Sequence, residues 1–166
     1  MQLEELFARH HAELYRYAAR FTGDADLAED VVQDVFVRLA ERPPARQDAL
    51  RGWLYRAATT IAIDAMRSAR RRLALVRDRP ERVPVAEAPP DPAAEVERAE
   101  LRGRVREALL QLGEKERAIL LMREEGFAHH EIAAAVGTTT KSVGTMIARA
   151  LEKLARRLDL DREEAG

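Results

Sequence analysis

The chain has 166 residues, with 28 Lys or Arg against 29 Asp or Glu, and 46% of its residues are hydrophobic. This composition is typical of a globular protein with one or two small domains, and its lack of cysteine excludes disulfides and thiolate metal sites. No apolar run reaches the roughly 18 residues of a membrane span, and the acidic N-terminus lacks the parts of a signal peptide, so we expect a cytoplasmic chain without membrane insertion.

Three amphipathic helices are predicted in the first 75 residues. Apolar residues recur there at intervals of three and four, which is the period of a helix with one buried face. Gly23 is suited to end the first helix, and Asp24 or Asp26 can cap the second. Pro43-Pro44 ends the second helix, and a third apolar stripe runs over 50–65.

An arginine-rich segment follows the third stripe. From Arg67 to Arg79 there are six arginines and a single acid, Asp78. Because the local distribution of charge sets the field at a surface, this segment is a candidate contact for nucleic-acid phosphates. The alternative for any single arginine is a solvated helix end favoured by the helix dipole. The residues predicted to contact DNA here are Arg67, Arg70, Arg71 and Arg72.

A proline-rich stretch divides the chain. Five of the seven prolines lie between Pro80 and Pro92, and no helical or alternating pattern runs through them. We therefore predict an all-α fold with two small helical domains, residues 1–75 and 100–160. A flexible linker over 76–99 would join them and allow their relative position to change.

The C-terminal domain is predicted to contain four helices separated by glycines, over 101–112, 114–124, 128–136 and 140–158. The last two have the pattern of a helix-turn-helix, with small residues at the crossing, Gly137 at the turn and a hydroxyl cap. An ordinary helical hairpin with a threonine cap is the alternative. The side chains predicted to meet DNA are Thr139, Thr140, Lys141, Ser142, Thr145 and Arg149.

The second predicted helix has an exposed polar face that includes one apolar residue. Removing its buried stripe leaves Asp30, Gln33, Asp34, Val37 and Arg38 at or near the surface. An apolar side chain among polar neighbours is consistent with a partner surface. By itself, however, an acidic face at helical spacing is typical of a solvated helix.

Three segments, in order, resemble the extracytoplasmic-function (ECF) sigma factors, the compact members of the bacterial sigma-70 family. Residues 28–39 resemble the family's helix for binding core polymerase, 50–72 its segment for melting and reading the minus-ten element, and 131–150 its motif for reading the minus-thirty-five element. The resemblance implies a specificity subunit of bacterial core RNA polymerase that binds promoter DNA. Asp30, Gln33 and Asp34 would dock on the polymerase clamp, and an anti-sigma factor would wedge between or clamp the two domains.

Two departures from the family pattern bear on DNA contact. Thr60, which we assign to DNA contact, stands where the family commonly has Asn in the minus-ten segment, so base selection there is expected to differ. Gly144 and Met146 stand where the family often has basic residues. Since each lost phosphate contact lowers affinity, upstream-element binding is expected to be weaker or differently specified.

We expect neither an enzyme nor a bound cofactor or metal. Adjacent histidines, as in His10-His11 and His129-His130, point about 100° apart on a helix and do not converge on an ion. No phosphate-binding loop or nucleophile with a matched base is present. Two other functions stay open: a sigma-like decoy that sequesters an anti-sigma factor, which Gly144 and Met146 slightly favour, and a transcriptional regulator that uses only the helix-turn-helix.

Overall fold

The computed structural model describes residues 2–75 and 92–164. These residues form seven α-helices and one short 3-10 helix, Gln47–Ala49, and no strand occurs within the described ranges. The all-α prediction is therefore confirmed. The helices are α1 (Leu3–Thr22), α2 (Ala25–Glu41), α3 (Leu50–Leu75), α4 (Pro92–Leu110), α5 (Glu114–Glu124), α6 (His129–Val136) and α7 (Thr140–Glu164).

The break between α1 and α2 is built as the sequence predicts. Gly23 has a φ of 70° and donates its N–H to the carbonyl of Ala19 at 2.8 Å, which ends α1. The carboxylate of Asp24 then accepts the N–H of Leu27 at 2.9 Å and caps the start of α2. Pro43-Pro44 follows the end of α2.

The start of α4 differs from the prediction. This helix begins at Pro92 instead of Leu101, so residues 92–99 are helical. The physical reason is that proline is well tolerated in the first turn of a helix, where its missing N–H has no partner to lose. Residues 76–91, and with them Arg77 and Arg79, lie outside the described residues, and the division into domains with a flexible linker stays a prediction.

The helices of both halves share one hydrophobic core. α1, α2 and α3 pack on one another, α4 to α7 form a second group, and buried side chains connect the groups into one continuous cluster. α1 contacts α4 and α5, while α3 contacts α5 and α6. The largest fully buried side chains come from both groups: Leu14, Tyr17, Phe21, Leu54, Tyr55, Ile119, Leu121, Met122 and Ile132. The described structure is thus a closed arrangement of the two groups.

Candidate nucleic-acid interface

The outer face of α2 presents the three residues assigned to polymerase docking. Asp30, Gln33 and Asp34 are all exposed, because the buried stripe of Val31, Val32 and Val35 faces the core. Slightly further along the helix, Val37 keeps 55% of its surface exposed. None of the three polar side chains bonds to another described residue, so this face is available to a partner.

The C-terminal half of α3 carries the arginine patch. Arg67, Arg70, Arg71 and Arg72 lie on this helix and are exposed, although the first two are not free. Arg67 donates to Glu114 Oε2 at 3.0 Å, and Arg70 donates to Glu114 Oε1 at 2.9 Å. The structure therefore brings two predicted DNA contacts onto a single carboxylate of α5.

Thr60 lies about two helical turns before the patch, at a shallow cavity. Its hydroxyl donates to the carbonyl of Arg56 at 3.0 Å, and the residue remains at the surface. The cavity has a volume of about 210 Å³ and is also lined by Arg38, Trp53 and Ala57. Trp53, which lies within the third apolar stripe, packs against the core and also forms part of this opening.

The predicted helix-turn-helix is formed by α6 and α7. Gly137 closes α6 with a φ of 69°, in the left-handed region that the turn requires. Glu131 accepts the N–H of Ala128 at 2.8 Å and fixes the start of α6. Four apolar side chains from the two helices are buried at their junction: Ile132, Val136, Val143 and Ile147.

The first turn of α7 separates the predicted contacts into two kinds. Thr139 Oγ1 accepts the N–H of Ser142 at 3.3 Å and lies 2.7 Å from its hydroxyl, so this pair holds the turn. The remaining predicted contacts are exposed and bond to no other described side chain: Thr140, Lys141, Thr145 and Arg149.

The two departures on α7 occupy different environments. Gly144 is exposed, on the same outward side as Thr145. Met146, in contrast, is half-buried and packs against the core. The position of Met146 is therefore partly structural, and only Gly144 removes a side chain from the outward surface.

A buried arginine that the sequence analysis did not single out joins the two helix groups. Arg117 of α5 is only 2% exposed, and its guanidinium donates to the carbonyl of Phe21 at 2.6 Å. It also donates to the carbonyls of Leu109, Leu110 and Leu112 at 2.9, 2.8 and 3.1 Å. These acceptors lie at or just beyond the C-terminal ends of α1 and α4, where most carbonyls lack a helical partner and the dipole favours a cation, although the Leu109 carbonyl also accepts the N–H of Leu112 at 3.1 Å.

An aromatic contact joins the groups at the other end of α3. The ring of Phe127, in the loop before α6, lies 4.7 Å from the ring of Tyr55, and the Arg51 guanidinium lies 4.3 Å above Phe127. Arg51 donates to the Glu125 carbonyl at 3.0 Å, and Tyr55 donates to the Glu125 carboxylate at 3.2 Å. Burial, with the nearby Glu125 charge, raises the pKa of Tyr55 well above its usual value.

Only one of these joining residues had a signal in the sequence. Arg117 falls on the apolar face of its helix, with Leu120 and Leu121 at positions three and four beyond it. A charged residue on such a stripe indicates a buried partner. Glu114 and Phe127 had no comparable signal, because a glutamate at a helix start and a phenylalanine in a loop are both common.

The fold and its surfaces define a class of protein: an all-α factor with a helix-turn-helix and an arginine-rich helix. Among the described residues, no helix is long and apolar enough to cross a membrane. The family models for Sigma-70 region 2 and Sigma-70 region 4 match residues 6–72 and 102–154. The chain belongs to the ECF RNA polymerase sigma factors of the sigma-70 family.

Individual relatives agree with this membership. The ECF RNA polymerase sigma factor SigL of Mycobacterium tuberculosis is 33% identical over 168 aligned positions, covering 99% of this chain and 90% of the relative. The ECF RNA polymerase sigma factor SigE of Mycolicibacterium smegmatis is 29% identical, covering 91% of this chain and 59% of the relative.

Two solved structures have the same fold. The sigma factor RpoE of Bartonella quintana, in complex with the anti-sigma factor NepR, gives a TM-score of 0.73 at 19% identity, over 95% of this chain and 97% of that one. CnrH, in complex with the cytosolic domain of CnrY, gives a TM-score of 0.64 at 29% identity, over 96% of this chain and 88% of the CnrH chain.

Proposed function

We propose that this chain is a cytoplasmic specificity subunit that binds core RNA polymerase and directs it to a set of promoters, without catalysing covalent chemistry itself. One observation carries the proposal: the chain matches both Sigma-70 region 2 and Sigma-70 region 4, and the residues assigned to polymerase and DNA contact are largely exposed in both regions. In this proposal α3 holds the minus-ten element and α7 the minus-thirty-five element.

The polymerase contact is assigned to the outer face of α2. Asp30, Gln33 and Asp34 follow one another at helical spacing and have no partner among the described side chains, and Val37 adds exposed apolar area beside them. Protein interfaces commonly place apolar area at the centre and polar residues at the rim, and this face offers both.

The closed arrangement must open for both promoter elements to be held at once. By their names the elements lie roughly 25 base pairs apart, which is about 85 Å of B-DNA. A compact chain of this length has a radius of gyration of about 15 Å. The 16 residues over 76–91 can span at most about 55 Å when extended, which allows the two helix groups to separate.

An anti-sigma factor is the proposed regulatory partner, and the closed arrangement favours one of its two expected modes. The contact between the helix groups is already filled by Phe127, Tyr55 and Arg117, each of which is buried. A partner that wedges between the groups would have to replace these contacts. A partner that clamps both groups from outside would retain them, and we propose that mode.

Run-off transcription from fragmented genomic DNA of the source organism tests the function. Core polymerase is assayed with and without the full chain, and the transcript starts are sequenced. New discrete starts that share an upstream pattern are expected. Their absence, with folded chain and a polymerase active on a control sigma factor, would instead support the decoy or the regulator that uses only the helix-turn-helix.

The docking assignment predicts that D30R/D34R abolishes core-polymerase binding, because two repulsive charges replace two attractive ones at the centre of the contact. Binding is measured by surface plasmon resonance, with a loss of at least about 100-fold in affinity expected. The matched control is E97R/E100R, which makes the same charge change at exposed positions of α4. Equal losses in both variants would show a general charge effect and remove the assignment.

A further inference from the structure

A carboxylate of the C-terminal helix group occupies two arginines of α3. Glu114 uses one oxygen for Arg67 and the other for Arg70, at 3.0 and 2.9 Å. The glutamate side chain is 16% exposed, whereas the two arginine side chains are 57% and 59% exposed. The carboxylate is thus held in place by its surroundings, and the arginines reach it from solvent.

The same two arginines could bind a nucleic-acid phosphate in the way that they bind this carboxylate. A carboxylate and a phosphate each offer anionic oxygens to charge-assisted hydrogen bonds from guanidinium groups. Exposed ion pairs of this kind are weak, since solvent screens them and the long side chains lose rotamer freedom. A phosphate can therefore replace the carboxylate once Glu114 moves away.

The position of Glu114 depends on the contact between the helix groups. It lies in the first turn of α5, three residues before Arg117, which is bonded to the C-terminal ends of α1 and α4. While Arg117 holds α5 against α1, Glu114 stays at the arginines. When the groups separate, α5 leaves α3 and takes the carboxylate with it.

We propose that Glu114 is a built-in mask, which stands in for a DNA phosphate on Arg67 and Arg70 while the chain is closed and releases both arginines when it opens. This inference rests on the proposed function in one respect, that these arginines contact DNA. It adds that the free chain keeps part of its own DNA-binding surface covered without any partner.

The test compares E114Q with E116Q in the full chain. Glu116 lies on the same turn of α5, but its carboxylate accepts hydrogen bonds from Lys153 and from the Gly113 N–H, both within the C-terminal group. The two variants therefore make the same change in net charge, and only E114Q removes the mask. The probe is a fluorescein-labelled single-stranded DNA of mixed sequence, since phosphate contacts do not depend on base identity. Affinity is read from fluorescence anisotropy over a salt series.

E114Q is expected to raise DNA affinity about two- to fivefold at low salt and to steepen the salt dependence, because two more cations become available to phosphates. E116Q should give a much smaller increase. In a chain that also carries R67Q/R70Q, adding E114Q should raise the affinity no more than E116Q does. Urea unfolding of each variant verifies that the chains compared are folded.

Two outcomes overturn the mask and separate it from the proposed function. If R67Q/R70Q lowers affinity but E114Q does no more than E116Q, the arginines contact DNA and the mask alone is wrong. If R67Q/R70Q leaves the affinity of the E114Q chain unchanged, these arginines do not contact DNA. Both the mask and the assignment of Arg67 and Arg70 to promoter contact are then wrong.

Discussion

The two ends of α3 meet the C-terminal helices in different ways. At the N-terminal end, Tyr55 is fully buried and its ring contacts that of Phe127. At the C-terminal end, Arg67 and Arg70 are exposed and reach a carboxylate, and the buried contact beside them is made by Arg117. Buried aromatic and cation contacts are strong, so Tyr55, Phe127 and Arg117 hold the closed arrangement. Exposed ion pairs are weak, so the bonds of Arg67 and Arg70 to Glu114 depend on that arrangement.

The largest loss of stability is expected from R117M. The substitution removes the guanidinium donor that four carbonyls at two helix ends share, so the free energy of unfolding should fall by about 3–5 kcal/mol. Urea unfolding of the full chain measures it. R123M, at an exposed position of the same helix, is the control and should change stability by less than about 0.5 kcal/mol. Similar losses in both variants would contradict the role of Arg117 as an anchor.

A smaller effect is expected from F127A at the other end of α3. Removing the ring takes away its contacts with Tyr55 and Arg51 and should destabilise the closed arrangement by about 2–4 kcal/mol. Small-angle scattering should then show a larger radius of gyration than the value of about 15 Å expected for the compact chain. F7A, at a half-exposed ring of α1, should leave the radius unchanged. An unchanged radius in F127A would mean that this contact does not hold the groups together.

Gly23→Ala tests the approach of α4 to the turn after α1. A Cβ at this position would lie 2.6 Å from Leu110 Cδ1, and the backbone φ of 70° is unfavourable for alanine. The expected loss of stability is about 1–2 kcal/mol by thermal or urea unfolding. Gly103→Ala is the comparison, because this glycine is inside a helix and a Cβ added to it would meet nothing within 4 Å. That variant should instead be about 0.5–1 kcal/mol more stable.

The smallest expected effect is the contribution of Tyr55 to the pH dependence of stability. Its pKa is raised in the folded chain, chiefly by burial, so the unfolded chain loses this proton first as pH rises. Stability from this group is therefore fully present below about pH 10, the unfolded value, and is lost above it. Y55F should cost about 1 kcal/mol at neutral pH through the lost hydrogen bond to Glu125, and should reduce the decline of stability above pH 10. Y15F provides the comparison, and an identical alkaline decline in Y55F and the parent chain would exclude the assignment.

Local signals in the sequence predicted the helices and their turns well. Gly23, Asp24 and Gly137 act as expected because caps and turns depend on a few neighbouring residues. The start of α4 was missed because a run of prolines suggests irregular chain, although Pro92, the last of that run, is suited to begin a helix. The local pattern does not show whether the residues after the last proline are helical.

The contacts between the two helix groups were not predicted from the sequence. The bonds from Arg117 to Phe21 and from Arg67 to Glu114 join residues 96 and 47 positions apart, and no short-range pattern records such pairs. For the candidate site, spacing placed Asp30, Gln33, Asp34 and the outward residues of α7 on exposed faces, but it could not reveal that part of the arginine patch is already occupied. That information arises only from packing.

The bond between Arg117 and Phe21 also bears on how the chain reaches its folded state. It joins residues 96 positions apart, and closing so long a loop carries an entropic cost that grows with loop length. Across small proteins, a larger share of contacts between residues far apart in the sequence goes with slower folding. The carbonyl of Phe21, at the C-terminal end of α1, therefore lacks its buried donor until α5 has been synthesised and has docked. In a chain interrupted before α5, this end of α1 would therefore be left open to water.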